Sequence, residues 1–282
     1  MRIPNIGYHL ARAEGDAVRW FYRMALPMIV RRKIQPRCEI PVDLFTYSGE
    51  VTLAEQVASI RSFLRYAGRP KRCTIYSDGS YTPRSVELLE QIDPVVKVSK
   101  SPPPLSPRFP EKFRSYLATH PTGKQLALIM SLPVETQPAL YVDSDVLFFP
   151  GATDLLSLVE MRDAPAFYLA DCQVAADERL FRDPSEREHP VNTGFLLLFR
   201  QLDWSLAISR FLEINGPPNF FTNQTMTHLT MHANGALPFD HRKYVLRLDD
   251  QFVYRDRHAG KSLALRHYVN PVRHKLWTTL FR

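Results

Sequence analysis

Pro41-Val42-Asp43-Leu44-Phe45-Thr46-Tyr47-Ser48-Gly49 is the stretch that decides the fold. Val42, Leu44 and Phe45 read as a short buried strand, and Ser48-Gly49 as the small polar turn that ends it. A helix is expected next. Thr52 and Glu55 have the spacing of a capping box, and Leu53, Val57, Ile60 and Leu64 recur at helical intervals up to a stop at Gly68. Residues 72–76, with Thr74 and Ile75, repeat the strand, and Ser77-Asp78-Gly79 repeat the turn. Thr82-Pro83 then supply a cap and a first helical residue for Val86, Leu89 and Ile92, and Val95, Val96 and Val98 make a third strand. Strand, helix, strand, helix, strand at this spacing implies right-handed crossovers and a parallel sheet, with a ligand edge at the strands' carboxyl ends.

Outward from that stretch, residues 1–40 are expected to be helical, with Val18, Phe21, Tyr22, Met24 and Leu26, until Pro27 and Arg31-Arg32-Lys33 intervene. They are taken as an N-terminal extension to one large domain, residues 41–282, although the length alone would also suit two domains. Residues 101–107 are too rich in proline for regular structure. Helical segments at 113–117 and 124–132 lead to Ala139-Leu140-Tyr141-Val142, a fourth strand, which runs directly into Asp143-Ser144-Asp145.

Composition narrows the class. With 45% hydrophobic and 23% charged residues in 282, the chain can bury a full core, which excludes disorder, collagen-like repeats and coiled coil. No apolar run approaches the roughly 18 residues of a membrane span. The net charge of +7 is spread along the chain, so no nucleic-acid partner is expected. Cys38, Cys73 and Cys172 form no metal-type pair and no disulfide framework, and the first residues lack a secretory address. A reducing, cytoplasmic setting is expected. Trp20, Phe21, Tyr22 and Met24, followed by the basic run, raise peripheral contact with the cytoplasmic membrane face as a further expectation.

Two carboxylates one residue apart at the end of a buried strand can surround one hard divalent cation, which also accepts diphosphate oxygens. The alternative for Asp143 and Asp145 is a helix cap or a solvated turn. Further on, Asn192-Thr193-Gly194 stand at the mouth of Phe195-Leu196-Leu197-Leu198-Phe199, too apolar to be anything but a central strand. The amide suits sugar hydroxyls and the glycine a close approach to backbone; an ordinary turn is the competing explanation. Asp171 ends another strand, residues 166–170, with helix capping as its alternative. His267, Arg273, His274, Lys275 and Trp277 gather imidazole, cation and aromatic in one short tail, either a phosphate and metal clamp or a basic end with one packed Trp.

Together, in this order, these pieces resemble the GT-A-fold nucleotide-sugar glycosyltransferases, in particular the glycogenin-like and bacterial lipooligosaccharide galactosyltransferase-like family, over residues 41–278. The resemblance implies an α/β fold with a mixed, mostly parallel central sheet flanked by helices. It implies transfer of a sugar, with UDP as the nucleotide, to a hydroxyl on a glycan, lipid-linked or protein acceptor. Asp143, Asp145 and His267 would hold Mn²⁺ or Mg²⁺. Thr46, Tyr47, Ser48 and Asp78 would face the nucleoside, and Lys124, Ser144, Asn192 and Gly194 would belong to the donor site. Lys275 would meet the diphosphate, while Asp171, Asn223 and Gln224 would form the catalytic set. Two positions depart from the family: Asn223 stands where an aspartate is usual, and Leu276 where proline is usual. The resemblance implies retention of configuration; inversion needs a carboxylate base, which Asn223-Gln224 do not offer, and Asp171, Asp249 and Asp250 are the acids left for that alternative. A non-catalytic nucleotide-sugar-binding relative, or a basic protein acting on lipid or RNA, are the alternatives.

Overall fold

A computed structural model of the chain describes residues 5–100, 104, 106–161 and 165–280. The first half runs α1 (Ile6–Ile29), β1 (Glu39–Ser48), α2 (Leu53–Tyr66), β2 (Arg69–Ser77), α3 (Pro83–Glu90), β3 (Val96–Ser99), α4 (Glu111–Thr119), α5 (Pro121–Met130) and β4 (Ala139–Val142). There follow β5 (Val146–Phe148), α6 (Asp154–Glu160), β6 (Ala166–Ala170), β7 (Val191–Leu198), α7 (Ser205–Leu212), α8 (Thr222–Ala233), β8 (Leu237–Pro238), β9 (Tyr244–Val245), β10 (Leu265–His267) and α9 (Arg273–Thr279). Of the Pro-rich connection, Ser101, Pro102, Pro103 and Leu105 lie outside the described residues.

Seven strands form one sheet in the order β3-β2-β1-β4-β7-β6-β8. The first four are parallel, as the crossover pattern predicts, while β7 enters antiparallel between β4 and β6. Every residue of β7 is buried: α8 lies against the strand, and Phe195 packs on Phe148, Phe239 and Tyr244. Alternation along β4 divides the core: Leu140 and Val142 join one apolar cluster, Ala139 and Tyr141 the other. A small second sheet, β5-β10-β9, carries the chain's end back beside β4.

Local chemistry explains most boundaries. Gly68 ends α2 at φ +129, a conformation that side chains resist, and the Thr82 hydroxyl accepts the Ser85 amide at 3.1 Å to start α3. The Thr52–Glu55 capping box does not form. Thr52 makes no side-chain cap bond, and the buried Glu55 is drawn into a pair with the half-buried Arg19 of α1 at 2.5 Å. Pro27 does not end α1 either: it lies inside the last turn. The inner face of α1 belongs to the main core through Tyr22, Leu26 and Val30, and the Tyr22 and Trp277 rings pack at 5.2 Å. Asn192, Thr193 and Gly194, expected at a strand mouth, lie within β7.

Candidate active site

Because β7 runs antiparallel to β4, its first residues sit beside the last residues of β4, where the Asp143 amide donates to the Gly194 carbonyl at 2.8 Å. The carboxyl ends of β4 and β6 and the start of β7 therefore share one edge of the sheet. Asp143 and Asp145 flank the buried Ser144 in the turn between β4 and β5, and β10 brings His267 opposite them. His267 Nε2 is 2.9 Å from Asp145 Oδ1 and 3.7 Å from Asp143 Oδ2. One ligand atom from each of the three lies within 4.8 Å of the others.

The imidazole is fixed from behind. His267 Nδ1 donates to Asn192 Oδ1 at 2.9 Å, an oxygen that also accepts the Gly194 amide at 2.9 Å. With its proton on Nδ1, the ring turns Nε2 towards the carboxylates, where only a second proton or a cation can relieve the contact between lone pairs. Burial disfavours the imidazolium, but Asp145 and Asp143 outweigh it and raise His267. Burial likewise works to raise Asp145, yet His267 and then Arg273 hold its carboxyl well below the usual range. Asp143 is pushed up by burial, against the pull of His267. Two carboxylates and an oriented imidazole form an oxygen and nitrogen donor set that suits Mn²⁺ or Mg²⁺.

The network continues on both sides. Asp143 Oδ1 accepts from the Tyr141 hydroxyl at 2.8 Å and from Gln125 Nε2 at 2.9 Å, and Asn223 donates to Gln125 Oε1 at 3.0 Å. Asn192 Nδ2 donates to Asp171 Oδ2 at 3.0 Å, and Gln224 Nε2 donates to the same oxygen at 3.2 Å. Asp143, Asp145, Asp171, Asn192, Gly194, Asn223, Gln224 and His267 thus stand in one hydrogen-bonded array. Lys124 is half-buried on α5, one residue before Gln125.

Other expected residues are placed elsewhere. Thr46 and Ser48 turn inward, both hydroxyls donating to Gln56 Oε1 at 2.7 and 2.6 Å. They share one side of β1, so alternation puts the half-buried Tyr47 on the other. Asp78 is exposed, and its carboxylate lies against Gly49, where a β-carbon would strike it. Lys275, expected on the diphosphate, is fully buried and donates to the Val253 and Arg255 carbonyls at 2.7 and 2.9 Å. Arg273 takes the position at the site, Nη2 donating to Asp145 Oδ2 at 2.5 Å. Two residues are about 200° of turn on a helix, so only one of these cations can face the carboxylates. Asp250, one of the acids left for inversion, is clamped by Arg266 at 2.7 and 2.9 Å.

No protein-family model matches the chain, and no curated protein matches it by sequence. Solved structures do match. The galactosyltransferase LgtC, determined in complex with donor and acceptor sugar analogs, superposes with TM-score 0.55 at 15% identity, covering 84% of this chain and 94% of that one. Mouse xyloside xylosyltransferase 1 gives 0.52 at 12% identity, covering 83% and 99%. The glycosyltransferase GlyE of Streptococcus pneumoniae gives 0.52 at 13%, covering 86% of this chain and 61% of its own. The chain therefore has the GT-A fold, as the motif order implied.

Proposed function

We propose that the chain is a divalent-metal-dependent glycosyltransferase that takes a sugar from a nucleoside-diphosphate sugar, UDP being the first nucleotide to try, and passes it to a hydroxyl on a glycan, lipid-linked or protein acceptor. One observation carries the reading: Asp143, Asp145 and an imidazole oriented by Asn192 converge at the ligand edge of a sheet whose fold is that of sugar transferases.

Asp143, Asp145 and His267 would hold the metal, whose chemistry is to neutralise the charge that grows on the departing diphosphate. Arg273 adds a fixed cation beside it, leaving Lys275 to hold the tail down. Tyr47 and Asp78 flank the first strand ends, where the nucleoside would lie. Asp171, aimed by Asn192 and Gln224, is the carboxylate of the array that is not committed to the metal, and it would position the sugar. Asn223 is fastened to Gln125 and offers no base, which supports retention. Hydrolysis or transfer of a UDP-sugar with Mn²⁺ tests this; donor binding without any turnover favours a non-catalytic sugar-nucleotide-binding protein instead.

The reading extends to a membrane surface. Ile6, Leu10, Phe21, Met24 and Met28 make an exposed apolar stripe along α1, on the side away from its buried face. Arg31 and Lys33 follow. Such a helix suits the interface of an anionic bilayer. Among the described residues no helix is long and apolar enough to cross a membrane.

A further inference from the structure

A cavity of about 640 Å³ opens between the end of α1, α2, β5 and the loop before β10. None of the carboxylate site's residues lines it, so it is a separate chamber. Its size is that of a small-molecule site. Its floor is apolar, with Ile29 and Phe148 among the lining residues, and four cations line it as well: Arg32, Arg61, Arg65 and Lys261.

Among the described residues none of the four is in an ion pair, and the acid in the lining, Asp256, is already committed to Arg266, the Tyr268 hydroxyl and the Thr279 hydroxyl. Arg61 donates instead to the Arg32 carbonyl at 3.0 Å, which holds one guanidinium in place and leaves its charge unanswered. Burial lowers the pKa of Arg61, and its neighbours Arg32 and Arg65 lower it further. Like charges gathered over an apolar floor repel unless an anion joins them.

We propose that this cavity binds an amphiphilic phosphate, with the phosphate between Arg61, Arg65 and Lys261 and the alkyl chain along Ile29 and Phe148. A free anion answers the charge but not the floor, and a neutral detergent answers the floor but not the charge. Guanidinium is the group of choice for phosphate, because its donors form a planar fork. The inference does not depend on the sugar-transfer reading.

The test is isothermal titration of the full chain with dodecyl phosphate, inorganic phosphate and dodecyl maltoside, each below its micelle concentration. Dodecyl phosphate is expected to bind once per chain, at least about tenfold tighter than either control. Arg65→Gln with Lys261→Gln should weaken it about tenfold or more, and Arg61→Lys, which keeps the charge, should weaken it less than Arg61→Gln. Thermal melts identify any variant that fails to fold, and the rim pair alone then decides. Inorganic phosphate binding as tightly as dodecyl phosphate would reduce the site to an anion site only. Equal affinity for dodecyl maltoside, or wild-type affinity in the rim variant, overturns the proposal.

Discussion

Gly194 and His267 compete for one volume: a β-carbon at position 194 would overlap Cε1 and Nδ1 of the imidazole. The glycine lets the ring approach β7 closely enough to reach Asn192. Gly194→Ala should push Nε2 away from Asp145 and lower Mn²⁺ affinity about 10–100-fold, the usual cost of losing a ligand's orienting partner. Calorimetry with Mn²⁺ measures it, and wild-type affinity in the variant would show that the ring has another route to the carboxylates.

Arg273 and Lys275 should fail in different ways. Arg273→Met removes a cation beside the departing diphosphate, so kcat is expected to fall about 10²–10³-fold with the fold intact. Lys275→Met takes away the buried ammonium that holds the Val253 and Arg255 carbonyls, so about 1–3 kcal/mol of stability should go while site chemistry survives in the folded fraction. Steady-state kinetics beside urea melts separates the two, and the reverse pattern would return the diphosphate role to Lys275.

His228 should make the fold acid-sensitive. Its Nδ1 accepts the Val191 amide at 3.3 Å and its Nε2 donates to the Glu186 carbonyl at 2.6 Å, which suits only the neutral ring. Burial pushes its pKa down to about 4, from 6.5. Since the unfolded chain binds the proton more readily, this contribution is whole above about pH 6.5, erodes as pH falls, and is gone by about pH 4. The full span is about 3 kcal/mol. Urea melts at pH 7 and 4.5 should show a smaller acid loss in His228→Gln than in the wild type; equal losses would mean that the ring accepts its second proton in the folded state.

The outer stripe of α1 can be tested without harming the core, since Phe21 and Met24 are exposed while Tyr22 and Leu26 are buried. Phe21→Ser with Met24→Ser should cut cosedimentation with anionic vesicles about tenfold and leave the melt unchanged. Undiminished binding would remove the bilayer from the account.

The sheet was readable because period-2 strands, a Thr-Pro cap and turn glycines are local signals, and residues 41–98 contain little else. Asp143, Asp145 and His267 could be named as a likeness, but Asp145 and His267 are 122 residues apart and meet only because β10 pairs with β5, which no spacing encodes. Thr46 and Ser48 against Tyr47 could have been separated by strand alternation once Gln56 was known to lie beneath them. Arg273 was hidden by the register of α9: with three basic residues in a row, the packing of Trp277 on Tyr22 and of His274 on Tyr8, and the bonds of Lys275 to the Val253 and Arg255 carbonyls, set which one faces the carboxylates. Glu55 escaped its capping role because Arg19, 36 residues earlier, offered it an ion-pair partner.

If Asp143 and Asp145 hold the metal that holds the donor, calorimetry of the full chain with UDP and GDP, with and without Mn²⁺, reads it out. One nucleotide should bind the wild type only when Mn²⁺ is present; Asp145→Ala should abolish that binding and Asp143→Ala should weaken it severely, with both variants still melting as folded proteins. Nucleotide binding of equal strength in all three proteins, indifferent to Mn²⁺, would contradict the account.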